Sequence, residues 1–327
     1  MARIGDLLLA SALLLACSPR DTEPPASTQT AAVAPTDSSR LAVPGGNIWF
    51  RVVGSGSGTP VILLHGGPGF SSYYLKSLEA LGDDRPVVRY DQLGGGRSDR
   101  IADTTRFTIP HFVAELDSLR AHLGLERVHL YGHSWGTILA VEYYRAHPDR
   151  VASLVLASPA LDIPAWESNA RQLLTTLPDS MQRAVRVREA EKRYDAPDYQ
   201  AALGEFYSRY VWRTPVQADL DSLMSTVNQD IYMYMQGPSE FTITGTLKHY
   251  DAKPFLKDIM VPVLFTVGEF DEANPEIVRQ HAALVPGAVV TVIPGAAHIT
   301  AWDNRDANLA AVRSFFRDAD ARSGRTQ

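Results

Sequence analysis

Short apolar runs at residues 47–53, 60–64, 86–90, 127–131 and 152–157 have the length and composition of strands, and turn-forming or charged residues separate them. The first two flank Gly54-Ser55-Gly56-Ser57-Gly58, a flexible turn. Residues 110–123 place Phe112, Val113, Leu116, Leu119 and Leu123 near helical spacing, which predicts a helix with one face on a sheet. A second helix is predicted over residues 135–146. Strand and helix alternate, as they do where crossover helices join parallel strands. After Ser158-Pro159 this rhythm stops, and residues 161–245 become helix-like and rich in Arg, Glu, Tyr, Met and Gln. The strand pattern returns at 261–267 and 288–293, with helices predicted at 275–284 and 305–316. These patterns predict an α/β core in two parts, 41–160 and 246–321, interrupted by a helical cap at 161–245. No internal repeat is evident.

The N-terminus changes this picture. Met1-Ala2-Arg3 is followed by an apolar run through Leu7–Leu9 and Leu13–Leu15 that is too short to span a bilayer, which predicts an export signal over 1–16. Cys17 is the sole cysteine, so no intramolecular disulfide can form. Its place after Leu14-Leu15-Ala16 resembles the lipobox of bacterial lipoproteins. That resemblance implies cleavage before Cys17, lipidation of its sulfur and a membrane-anchored protein facing the periplasm; Ser18 resembles the outer-membrane sorting pattern. An ordinary signal peptide is the alternative. Residues 17–40 are rich in Pro, Ser, Thr and Ala, which predicts a flexible tether.

Composition narrows the function. The chain has 327 residues, 45% hydrophobic, enough for a substantial core. Its net charge is −6, with both signs interspersed, and no basic stripe is present to track phosphates, so nucleic acid is excluded as a partner. The histidines show no pairing with carboxylates at metal-ligand spacing, so no metal is expected.

Gly132-His133-Ser134-Trp135-Gly136 fits the Gly-x-Ser-x-Gly elbow and lies between a predicted strand and a predicted helix. In that setting Ser134 is the candidate nucleophile. A serine hydroxyl needs a base and the base needs an orienting acid. His298, in Gly295-Ala296-Ala297-His298, and Asp271, in Gly268-Glu269-Phe270-Asp271, follow the last two predicted strands. Glu269 and Glu272 flank Asp271 and stand as rival acids. His65-Gly66-Gly67-Pro68-Gly69 follows the strand at 60–64, and the N–H groups of Gly67 and Trp135 are the candidate oxyanion donors.

His65–Gly69, the Asp91-Gln92-Leu93-Gly94-Gly95-Gly96-Arg97-Ser98 segment and the elbow together resemble the proline iminopeptidase family of α/β-hydrolases. Gly237-Pro238-Ser239-Glu240-Phe241-Thr242-Ile243-Thr244-Gly245 and Gly268–Glu272 resemble its tricorn-interacting aminopeptidase branch. The resemblance runs from about residue 41 to 316, with Leu93 where the family often has Arg. It implies an α/β-hydrolase fold: a mostly parallel sheet flanked by helices, with an inserted helical cap. It also implies that cap glutamates bind a substrate's α-ammonium group, with Glu240 the clearest match and Glu205 a second. Trp135 is expected to line the pocket for the first residue or to pack. The implied substrates are short peptides with a free N-terminus, preferably proline, cleaved without a cofactor. An esterase, lactonase or small-amide hydrolase on the same triad, or a non-catalytic binding protein, remains open at this point.

Overall fold

Eight strands pair into one sheet in the order β1-β2-β4-β3-β5-β6-β7-β8. They are β1 (Thr36–Val43), β2 (Gly46–Val53), β3 (Val61–Leu64), β4 (Val87–Asp91), β5 (Val128–His133), β6 (Val151–Ala157), β7 (Val263–Gly268) and β8 (Val289–Ile293). The computed structural model describes residues 35–323, so the expected signal, Cys17 and most of the expected tether lie outside the described residues. From β4 to β8 neighbouring strands run parallel, while β1 and β2 are antiparallel additions at one edge. Every residue of β3, β5, β6 and β7 is buried, because helices cover both faces and an alternating pattern is not required.

The tether expected through Arg40 ends sooner, since Thr36–Val43 forms the edge strand β1, paired with β2. Its half-exposed pattern explains the misreading. An edge strand needs only one covered face, so Thr36-Asp37-Ser38-Ser39-Arg40 keeps the polar composition of a linker. A second segment outside the predicted elements is the 3₁₀ helix Ser72–Asp83, which joins β3 to β4 and buries Tyr74, Leu75, Leu78 and Leu81 on one side.

On one face of the sheet lie α1 (Ile109–His122) and α2 (Trp135–Ala146). The N-cap of α1 is Thr108, whose hydroxyl accepts from His111 N at 3.3 Å. Phe112, Leu116 and Leu119 are buried, as their spacing predicts, and each fully buried side chain of this size contributes about 1.5–3 kcal/mol. Between β6 and β7 come α3 (Ile163–Leu174), α4 (Asp179–Ala190), α5 (Pro197–Tyr210), α6 (Gln217–Met224), α7 (Gln229–Met235) and the short α8 (Lys253–Leu256). After β7 follow α9 (Pro275–Ala283), α10 (Thr300–Asp303) and α11 (Arg305–Ser323).

The inserted helices are fastened above the carboxyl ends of the strands. Asn228 at the start of α7 donates through its backbone to Gly69 O and through Nδ2 to Gly94 O, both at 2.8 Å. Gly69 and Gly94 follow β3 and β4. A Cβ on Gly69 would lie 2.7 Å from Asn228 O, so glycine there is a condition of this approach.

Candidate active site

Ser134 lies between the last residue of β5 and the first of α2, with φ 54° and ψ −123°. A positive φ strains any residue with a Cβ, and the surroundings hold it there. Ser134 N donates to Ala157 O at 3.0 Å, and its carbonyl accepts from Thr137 N at 2.8 Å. A Cβ on Gly132 would meet Gly136 O at 2.3 Å, and one on Gly136 would meet Leu64 O at 2.2 Å. Both flanking glycines are therefore set by backbone spacing. A Cβ on Gly66 would approach Ser134 Cβ to 3.0 Å, so the glycine loop and the serine are in close contact too.

Asp271 and His298 follow β7 and β8, and the fold brings them together: His298 Nδ1 lies 2.9 Å from Asp271 Oδ1. The aspartate also accepts from Ala273 N at 2.8 Å and from Gly268 N at 3.2 Å. Burial pushes its pKa up, yet the neighbouring His298 and hydrogen bonds from His298, Ser158 and Ala273 outweigh it, so the carboxyl stays below its ordinary value. An ionised Asp271 fixes the proton on Nδ1 and leaves Nε2 as the basic nitrogen. Of the rival acids, Glu269 is exposed and accepts from Gly295 N at 2.9 Å. Ser134 and His298 line one cleft of about 400 Å³, together with Gly67, Tyr207, Glu240 and Glu272.

Two further histidines lock the surrounding loops. His133 Nε2 contacts His298 O at 2.9 Å, and since a carbonyl only accepts, that nitrogen carries the proton. Burial holds the His133 pKa down at about 3, so the ring is neutral and Nδ1 accepts from the Tyr74 hydroxyl at 2.8 Å. The tyrosine oxygen in turn accepts from Gly66 N at 2.6 Å. His65 Nε2 accepts from Gln92 N at 2.9 Å, so its Nδ1–H donates to Gly66 O at 2.8 Å. Gln92 Oε1 also accepts from the Trp135 indole at 2.8 Å. The glycine loop, the serine turn and the His298 backbone are thus one network. Removing the Tyr74 hydroxyl (Tyr74→Phe) leaves two buried polar groups unpaired, a stability cost of about 1–3 kcal/mol. Turnover is expected to fall about ten-fold in kcat with little change in KM; a denaturation curve and steady-state kinetics check both, and an unaltered kcat refutes the positioning role.

Trp135 is buried, with its indole N–H on Gln92 and its ring edge-on to Phe112 at 5.6 Å. It also lines a smaller cavity of about 240 Å³ that shares Gly67, Ser134 and Glu240 with the cleft. As the first residue of α2, it has an N–H without an intrahelical acceptor.

The carboxylates divide differently from the expectation. Glu240 is in the cleft: Tyr232 Oη donates to Oε1 at 2.5 Å and Gln236 Nε2 to Oε2 at 3.2 Å. Glu205 lines neither cavity; it is ion-paired with Arg209 one turn along α5, at 2.5 Å. The second carboxylate in the cleft is Glu272, 1% exposed, with neither oxygen hydrogen-bonded among the described residues. Burial, the charge of Glu240 and then that of Asp271 push the Glu272 pKa well above the ordinary carboxyl value. Burial also raises Glu240, against the hydrogen bond from Tyr232. Sequence reasoning saw Glu272 only as a rival acid. Its adjacency to Asp271 was the available signal, since consecutive residues in a turn point to different sides.

A model of the α/β hydrolase fold matches residues 59–305. Over 276 residues the chain is 42% identical to a proline iminopeptidase of Heyndrickxia coagulans, spanning 84% of this chain and 96% of that one. Among solved structures, VinJ superposes with a TM-score of 0.83 at 30% identity, covering 88% of this chain and 100% of its own. Proline iminopeptidase of Mycobacterium smegmatis superposes at 0.81 with 31% identity, covering 88% of this chain and 99% of that one. With the sheet order, the elbow and the Asp271–His298 pair described above, these similarities establish that the chain belongs to the proline iminopeptidase family of α/β-hydrolases.

Proposed function

We propose that this protein is a serine aminopeptidase that releases an N-terminal residue, preferably proline, from short peptides through an acyl-enzyme. The observation that carries the reading is the pair of carboxylates, half-buried Glu240 and buried Glu272, in the same cleft as Ser134 and His298. Neither carboxylate is ion-paired among the described residues, and desolvation raises the pKa of both; a substrate's α-ammonium group supplies the missing cation. Held there, the amino terminus fixes which carbonyl reaches Ser134.

In this mechanism Ser134 Oγ attacks the scissile carbonyl as its proton passes to His298 Nε2. The oxyanion forms against the N–H groups of Gly67 and Trp135. Collapse of the tetrahedral intermediate breaks the C–N bond, and the proton on His298 leaves with the amine. Water, deprotonated by the same nitrogen, then cleaves the ester and restores Ser134. The smaller cavity is walled by Ile138, Ile163, Trp166 and Leu247, an apolar lining of the kind that takes up a proline ring.

An unblocked proline arylamide, its N-acylated form and a simple aryl ester test the reading. Only the unblocked amide should turn over efficiently. Equal rates on blocked and free substrates would exclude the aminopeptidase and leave a general esterase or amidase.

A further inference from the structure

A second groove, of about 890 Å³, adjoins the catalytic cleft and shares Tyr74 with it. Its wall includes Trp302 and Ala301, a few residues past His298. We propose that this groove holds the peptide beyond the scissile bond, and that Lys76 and Arg305 on its wall bind the peptide's terminal carboxylate. The inference rests on the aminopeptidase reading and deepens it by defining the leaving portion of the substrate.

The direction follows from the chemistry. His298 hands a proton to the departing amine, so the leaving chain starts on the His298 side. The acyl side is taken up by Glu240 and Glu272, and neither lines the second groove. Ring centroids step 4.6 Å from His298 to His133, 5.2 Å from His133 to Tyr74 and 6.4 Å from Tyr74 to Trp302. Extended chain advances about 3.3 Å per residue, so a leaving chain of about four or five residues spans the path from His298 to Trp302.

The lining fits such a chain. Lys76 and Arg305 are exposed, and neither is ion-paired among the described residues. Asp219, the acidic residue of the wall, is engaged by the Tyr73 hydroxyl at 2.9 Å. Val216 stands 64% exposed on the rim, an apolar surface with no partner in the fold and suited to a peptide side chain. Lys76, whose ammonium lies over the Tyr73 ring at 5.8 Å, and Arg305 outnumber the one carboxylate of the wall and leave the groove net positive, complementary to a peptide's terminal carboxylate and indifferent to an amide.

The test measures kcat/KM for Pro-Ala-Ala-Ala-Ala, for its C-terminal amide and for proline arylamide, with wild type and with the double variant Lys76→Ala/Arg305→Ala. Exposed charge pairs are individually weak, so wild type should prefer the free acid by about five- to ten-fold at low salt, and less at 1 M salt. The double variant should cleave acid and amide alike while keeping its arylamide rate. Equal turnover of acid and amide by a wild type that cleaves the arylamide overturns the groove assignment and leaves the aminopeptidase standing, as does a preference that survives in the double variant. A wild type that ignores unblocked proline arylamide removes the aminopeptidase reading, and this assignment with it.

Discussion

Replacing Ser134 by alanine is expected to lower kcat/KM by about 10⁴–10⁶-fold and to abolish labelling by a fluorophosphonate, with the fold retained. Ser134 lines the cleft while its strained backbone is fixed by Ala157 O and by crowding at Gly132 and Gly136, so alanine adopts the same turn. Asp271→Asn separates geometry from charge. An amide beside His298 Nδ1 presents an N–H there, and the imidazole must move its proton to Nε2, where it can no longer accept one from serine. That variant should lose about 10⁴-fold in kcat at neutral pH. Labelled and active Ser134→Ala protein would eliminate the assignment outright.

The second large effect concerns the cleft carboxylates. Glu240→Gln and Glu272→Gln should each cost about 10²–10³-fold in kcat/KM on unblocked proline arylamide, because a desolvated ammonium loses its charged partner. Turnover of an aryl ester, which brings no ammonium, should hold or rise. The pH dependence has a fixed sign. Both carboxyls have raised pKa values and bind ammonium only when ionised, so peptidase kcat/KM falls as pH drops through a range above that of ordinary carboxylates. Glu240→Gln removes the negative neighbour that raises Glu272 and should move this acidic limb down. Stability runs the other way. A carboxyl whose folded pKa is raised contributes most below its unfolded value and loses that contribution as pH rises through the folded value. Glu272→Gln should therefore raise Tm at neutral pH while turnover falls. A variant that keeps full discrimination between free and blocked amides would rule out the carboxylate pair as the amine site.

The parts of this site readable in the sequence are those set by local backbone chemistry. The elbow is legible because two glycines, a serine and the strand-to-helix switch occur within a few residues, and the crowding at Gly132 and Gly136 shows why no other residue fits. Asp271 and His298 were found from their place after strands. The ion pair of Glu205 was legible as well, since Arg209 lies four residues on along the same helix. Glu272 was passed over because chain position does not say which of two adjacent acids turns toward the histidine. The network of Tyr74, His133, His65 and Gln92 joins loops after β3, β4 and β5, and nothing local marks residues whose partners are that distant. Glu115 belongs with them: buried in α1, it accepts from Leu93 N at 3.1 Å, and burial pushes its pKa up to about 8. The edge strand β1 was hidden by its polar composition.

Asp271 and Glu272 are joined by a single peptide bond, in a turn where a Cβ on the preceding Gly268 would strike Ala297 O at 2.2 Å. Swapping this loop for another, the usual way a lineage acquires a new specificity, would dislodge the partner of His298 along with the proposed ammonium ligand. Descendants that abandon peptides must do so one side chain at a time at position 272, or by remodelling the helices between β6 and β7, where Glu240 resides.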